Sequence, residues 1–217
     1  MCLAAPTLIN MGVCCIVLWS YPDNLNTSQA LEFLQNRLKL LGSTLVGNWV
    51  VDCEVLQSTA ATATNTQGKS VYFIHSSEYP RSTFTVLDPS YTCLVADNTL
   101  DSIFAHLKPF YTPRKGLRIE SRGYRHEVKE KYVVKFASVT FSATSKAVIV
   151  EIENRDDSTV SSAWGPLTEF TKALLHTSEQ IQIPEHVQKS LDGRYAPADS
   201  MVQYAHIFNQ IRKTGGK

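Results

Sequence analysis

Apolar and polar positions alternate along much of this chain in short runs that read as strands, interrupted by a few stretches of helical period. Val13 to Trp19 is apolar, β-branched in part and stopped by Tyr21-Pro22, the pattern of a fully buried strand. Leu31, Leu34, Leu38 and Leu41 then share one face of a helix that Thr27 or Ser28 can cap and Gly42 can end. Trp49, Val51, Cys53 and Val55 alternate with Asn48, Asp52 and Glu54, which predicts a strand with one wet face. Ser58 to Gly68 is small, polar and aperiodic and reads as an exposed loop. Lys69 to His75, Thr83 to Leu87 and Tyr91 to Ala96 are three more strands, the last two joined by the turn Asp88-Pro89-Ser90.

A second helix is predicted from Leu100 to Lys108 and is stopped by Pro109. Leu117 to Glu127, Lys131 to Ser142 and Ala147 to Glu153 are strands rich in Val, Ile, Phe and Tyr. Pro166 suits the first turn of a third helix that turns Leu167, Phe170 and Leu174 inward. The last helix starts near Pro197 and Asp199 and aligns Met201, Tyr204, Phe208 and Ile211. Close succession of strands without helical crossovers excludes a doubly wound parallel sheet. The expected fold is α+β: a predominantly antiparallel β-barrel or strongly curled sheet of about eight strands, with about four helices packed on one side.

Composition changes this picture little. The chain has 217 residues, 43% of them hydrophobic, enough to bury a core. Lys and Arg number 21 against 20 Asp and Glu, which excludes a polycation that coats nucleic acid or an acidic membrane. Cys2, Cys14, Cys15, Cys53 and Cys93 are odd in number and lack metal-ligand or redox spacing. Free thiols of this kind point to a reducing compartment. The first 22 residues carry no charge, and Arg37 is the first basic residue, so no positive region precedes the apolar stretch as a secretory signal requires.

Candidate chemistry is sparse. Gly68-Lys69-Ser70 ends like a phosphate loop, but Ala63 stands where the first glycine belongs. Nucleophile elbows and dinucleotide fingerprints are absent, and the six histidines are scattered singly. No catalytic residue, metal ligand or cofactor site is assigned. Glu151 and Glu153 fall on one face of a strand, a spacing that can grip a divalent cation. Inside a closed barrel, with Arg or Lys opposite, they would suit a metal-dependent triphosphate tunnel. The competing expectation, an outward charged face beside the helices, is preferred because Asp52 and Glu54 are the other acidic residues in register. Charge is also uneven: Arg114 to Lys135 holds eight basic and three acidic residues, a local excess of +5. A solvated face of alternating strands is the common explanation, and no motif for sequence-specific nucleic-acid reading accompanies it.

Several segments together carry a family resemblance. Met11-Gly12-Val13, Gly47 to Glu54 (GNWVVDCE), Gly68 to Pro80 (GKSVYFIHSSEYP), Ile119 to Gly123 (IESRG) and Ala196 to Lys213 (APADSMVQYAHIFNQIRK) resemble the Mediator subunit 20 (TRF-proximal protein) family. The similarity runs from Met11 to Lys213 in order. It implies a nuclear, non-enzymatic subunit of the Mediator head module, a transcription coregulator that helps pass activator signals to RNA polymerase II. It also implies a barrel flanked by helices, paired with the similarly folded Mediator subunit 18 and tethered by a helical segment of subunit 8. Barrels of this family resemble triphosphate tunnel enzymes, which makes the tunnel chemistry of Glu151 and Glu153 the alternative. Residues 1–10 depart from the family pattern and are expected to be an extension, residues 11–213 a single domain, and 214–217 a frayed tail. Arg118, Arg122 and Arg125 are the expected contacts to an acidic partner surface.

Overall fold

A computed structural model describes residues 11–58, 70–107, 110–141, 144–188 and 193–214. The expected extension over 1–10, most of the polar loop after Ser58 and the last three residues lie outside that set.

Nine strands form one antiparallel sheet: β1 (Val13–Trp19), β2 (Thr44–Ser58), β3 (Ser70–Ser76), β4 (Ser82–Leu87), β5 (Thr92–Asp97), β6 (Tyr111–Pro113), β7 (Ile119–Val128), β8 (Tyr132–Phe141) and β9 (Thr144–Asn154). Eight of them run in the order β1-β9-β8-β7-β2-β3-β4-β5, and the short β6 pairs with the far end of β2. Helices are α1 (Thr27–Leu40), α2 (Thr99–His106), α3 (Val160–Leu175), α4 (Glu185–Gln188) and α5 (Pro197–Thr214). Strand β2 is longer than its alternation suggests. Its first residues, with Leu45 and Val46 exposed, are held by pairing with β7 across a bulge at Leu45/Gly47.

The sheet is a half-barrel. Strands β1 and β5 end the hydrogen-bonded order, yet α5 packs against both, so the sheet must curl around this helix. At Gly123 the coil between β7 and β8 is so close that a Cβ would stand 1.9 Å from the Phe136 carbonyl oxygen.

Each face of the sheet has its own core. On the convex side, Val134, Phe136, Val148, Val150 and Ile152 meet Leu34 and Leu38 of α1 and Ala163, Trp164, Leu167 and Leu174 of α3. On the concave side, Trp49, Val51, Ile74, Phe84, Ile119 and Ile149 meet Met201, Tyr204, Phe208 and Ile211 of α5. The one-sided helix layer expected from the sequence is therefore corrected. Helical periodicity says that a face is buried but not which side of a sheet buries it, and a curled sheet has a hollow to fill.

Two helix starts also move. Asn26, not Thr27 or Ser28, caps α1: its side chain accepts from the Gln29 N–H at 2.9 Å, and Gln29 reaches back to the Asn26 N–H at 2.9 Å. Pro166 lies inside α3 rather than in its first turn. The buried series Val160, Ala163, Trp164, Leu167 continues the helical stripe upstream, hidden in the sequence by Gly165-Pro166.

Candidate functional site

Strand alternation places a row of charges on the concave face. Arg125 of β7 pairs in register with Lys135 of β8, and Lys135 with Glu151 of β9. Because Ala137, Val139 and Ile149 point inward on the same strands, Arg125, Lys135, Glu151 and Glu153 do too. Lys135 is 2% exposed, Glu151 3% and Glu153 8%. The expectation of an outward charged face is thus overturned. Helix α5 covers that face while α1 and α3 cover the other, so neither face of these strands is left in water.

Inward placement does not make the pair a cation grip, because three of its four oxygens are engaged by the protein. Glu151 Oε1 accepts from Lys135 Nζ at 2.9 Å and from Cys14 Sγ at 3.5 Å, and Glu151 Oε2 accepts from the Tyr204 hydroxyl. Glu153 Oε1 accepts from the Gly12 N–H at 3.1 Å. Lys135 Nζ also meets Glu78 Oε2 at 3.2 Å, and Glu78 Oε1 meets Arg125 Nε at 3.4 Å. Asp52 and Glu54 lie on the convex side of β2, since their neighbours Val51, Cys53 and Val55 point inward. Among the described residues no three His, Cys, Asp or Glu side chains gather as a metal set.

Electrostatics follows from this packing. Burial by itself pushes the Lys135 ammonium down, but the carboxylates of Glu151 and Glu78 reverse the effect and hold it above its ordinary range. Burial raises Glu153 despite Lys135 nearby. The Cys14 thiol is raised by burial and by the two carboxylates, and Cys15 is pushed up to about 12 by burial. Both are inert thiols at neutral pH. Tyr204 is likewise raised by burial and by Glu151, so its hydroxyl stays a donor.

Gln203 extends the network along α5. Its Oε1 accepts from the Ile16 N–H at 3.2 Å, and its Nε2 donates to the Cys14 carbonyl at 3.0 Å and the Tyr195 hydroxyl at 2.7 Å. The side chain thereby plays the part of one residue of a neighbouring strand on the outer edge of β1. Sequence reading missed Gln203 and Cys14 as members of a site. A polar Lys inside the apolar run YVVKFASV and a Gln inside a buried helix stripe were the available signals.

The three sequence-predicted arginines are not brought together on one open surface. Arg118 meets Asp52 and Glu54, each at 3.3 Å, and Arg122 meets Glu120. Both are well exposed, with side chains 52% and 71% accessible. Arg125 points into the hollow, 17% exposed, and also meets Glu127 at 3.2 Å. The local +5 is therefore largely answered by carboxylates from other elements, and Lys131 adds a pair with Asp156 at 2.9 Å.

The open edge beyond β4 is different in kind. Leu94 and Val95 of β5 are 56% and 52% exposed on its two faces; Ile103 of α2 and Phe110 just after it are 53% and 57% exposed. α2 buries no residue completely. Edge strands usually carry charge or proline to discourage pairing, so apolar side chains on both faces of an edge mark a contact surface.

Residues 11–209 match the family described as TATA-binding related factor (TRF) of subunit 20 of Mediator complex. A chicken protein named Mediator of RNA polymerase II transcription subunit 20 is 35% identical over 204 residues, covering 94% of this chain and 95% of its own length. The human protein of that name is 34% identical over 205 residues, with the same coverages. Among solved structures, a putative adenylyl cyclase from Hippeastrum with dominant triphosphatase activity aligns over 87% of this chain and 99% of its own. Its identity is 10% and its TM-score 0.44, a distance at which similarity is no guide to chemistry.

Proposed function

This chain belongs to the Mediator subunit 20 family, a component of a nuclear transcription complex, and we propose that it works there as a docking subunit without catalysis of its own. In this reading the 11–213 domain sits in the head module. Its half-barrel pairs with the related barrel of Mediator subunit 18, and a helical segment of subunit 8 tethers the pair, so that activator signals reach RNA polymerase II indirectly. The observation that carries it is the apolar open edge: Leu94 and Val95 are exposed on the two faces of a strand that pairs on one side among the described residues. Burying such a patch against a second barrel supplies the apolar centre of a stable interface, on the order of 1,000–2,000 Å² in total. Concave-face chemistry offers no competing task, since Glu151 and Glu153 are bonded from within and α5 fills the hollow.

Arg118 and Arg122 suit a supporting role. They are exposed and only surface-paired, so an acidic partner can exchange for their own carboxylates at small cost. Arg125 would contribute from behind, through Glu78.

The test is co-purification with the subunit 18 homologue. Leu94→Asp with Val95→Asp is expected to abolish recovery of the pair while the monomer remains folded by circular dichroism. Undiminished recovery would falsify the assigned face. Charge reversal of Arg118, Arg122 and Arg125 together is expected to weaken recovery and to make it less salt-dependent; no change would remove the arginines from the interface.

A further inference from the structure

The sheet has a second edge, along β1, and it is built differently. Residues of β1 whose N–H and C=O groups face away from β9 are Cys14, Ile16 and Leu18, because Ile16 N–H and Cys14 C=O are those bonded to Gln203. Gln203 therefore occupies one rung of a ladder that continues. The next outward groups, the Ile16 carbonyl and both backbone groups of Leu18, have no partner among the described residues. They open instead into a groove of about 340 Å³ that follows Ile16 to Ser20.

The lining mixes apolar with polar side chains, and apolar ones stand on both sides of the strand edge. Leu175 and Ile181 line one side, from the end of α3 and the segment after it; Ile207 of α5 lines the other. Gln210 also lines it, two helical turns beyond Gln203 on the same face of α5. Seven residues of helix advance ~10 Å, about three residues of strand, so Gln210 stands level with the open rungs as Gln203 does with the filled one. Glu179 is the charged residue of the lining.

We propose that this groove binds an extended segment of a partner protein as an added strand on β1. The unfilled rungs specify the occupant's backbone: a helix presents no free row of peptide groups at strand spacing, whereas an extended segment does. Alternating apolar side chains fit the walls of Leu175, Ile181 and Ile207, and a Lys or Arg matches Glu179. Gln203 fixes where the added strand must stop, since the rung at Cys14 and Ile16 is closed by its amide. This site is separate from the β5 edge and does not depend on Mediator membership.

The probe is a library of random dodecapeptides displayed on phage and selected on the immobilised full chain. Enriched peptides are expected to alternate β-branched or aromatic residues and to carry a basic residue. On binding, the Leu18 amide should become slow to exchange with deuterium, while the Ile16 amide is slow with or without peptide. Leu18→Pro deletes one outward N–H without touching the ladder to β9 and is expected to weaken binding about tenfold more than Leu18→Ala. Glu179→Lys on the wild-type background should select against basic peptides and covers the case in which the proline variant does not fold. Enrichment of no peptide, enrichment of helical sequences, or peptides that leave Leu18 exchange unchanged would each overturn the proposal.

Discussion

The two faces of the sheet each bury a large apolar cluster but are held in different ways. The convex face meets α1 and α3 through Leu34, Leu38, Leu167 and Leu174, an arrangement that rests mainly on shape, with polar contacts such as Arg37 to the Ala173 carbonyl at its margin. The concave face meets α5 through a comparable apolar set, into which a Lys–Glu pair, a Tyr and a Gln are inserted at fixed points. Shape tolerates exchange of one aliphatic residue for another of similar volume. A shift that separates buried charges leaves each one unpaired at a large cost. The helix that fills the hollow is thus positioned by polar contacts to Glu151, Cys14 and Ile16, whereas the outer helices are free to adjust.

Breaking the concave pair should have the largest effect. Glu151→Ala leaves Lys135 buried with Glu78 as its remaining partner, and urea unfolding is expected to show a loss of about 3–5 kcal/mol. Replacing the set together, Lys135→Met with Glu151→Leu and Tyr204→Phe, is expected to recover most of that loss, because no charge or hydroxyl is then left unpaired. A triple variant no more stable than Glu151→Ala would mean that the contrast between the faces is wrong. On the convex side, Leu167→Ala should cost about 2–5 kcal/mol as a cavity, with no rescue by a polar partner. Gln203→Leu comes next. It strands the Ile16 N–H and Cys14 carbonyl, each worth about 1–3 kcal/mol when buried unpaired, and the Ile16 amide should lose its protection from exchange. Retained protection at Ile16 would show that the Gln203 rung is dispensable.

The smallest effect sharpens the comparison on the convex side, where His126 is buried with its Nδ1 on Ser43 Oγ at 3.1 Å and its Nε2 unpaired. Burial, and secondarily Lys39, depress its pKa below 6.5. A depressed folded-state pKa means stability fully present above about pH 6.5 and lost as pH falls towards the folded value. Denaturation midpoints measured at pH 7.5 and 5.5 should therefore differ for the wild type, and His126→Phe should narrow the gap. An unchanged gap would assign the pH dependence to other groups.

Most strands were legible because two-residue alternation survives in a half-buried sheet: β3, β4, β7 and β8 fall within a residue or two of their predicted places. The concave charge row was not, for a definite reason. Alternation groups Lys135 with Ala137 and Val139 but gives no sign of which group faces a helix, and here both do. The preference for Glu151 and Glu153 in solvent followed from assuming one covered face. The position of the Met201 face within the hollow was hidden likewise, since a core stripe and a partner groove share one apolar code. The arginines illustrate the remaining gap. Arg118, Arg122 and Arg125 stand in one run of sequence with Glu120 and Glu127 two residues away on β7, but the partners Asp52, Glu54 and Glu78 come from β2 and the β3–β4 turn, contacts that only tertiary structure brings together.

Synthesis order gives the enclosed helix a further meaning. A ribosome delivers all nine strands before α5, and β1 waits for β9, some 130 residues later, to find its pairing partner. Once β9 is made and until α5 follows, Lys135, Glu151 and the apolar hollow around them have no lid. A chain cut short before α5 would leave that hollow uncovered, the exposed apolar surface that makes partly folded chains prone to aggregate.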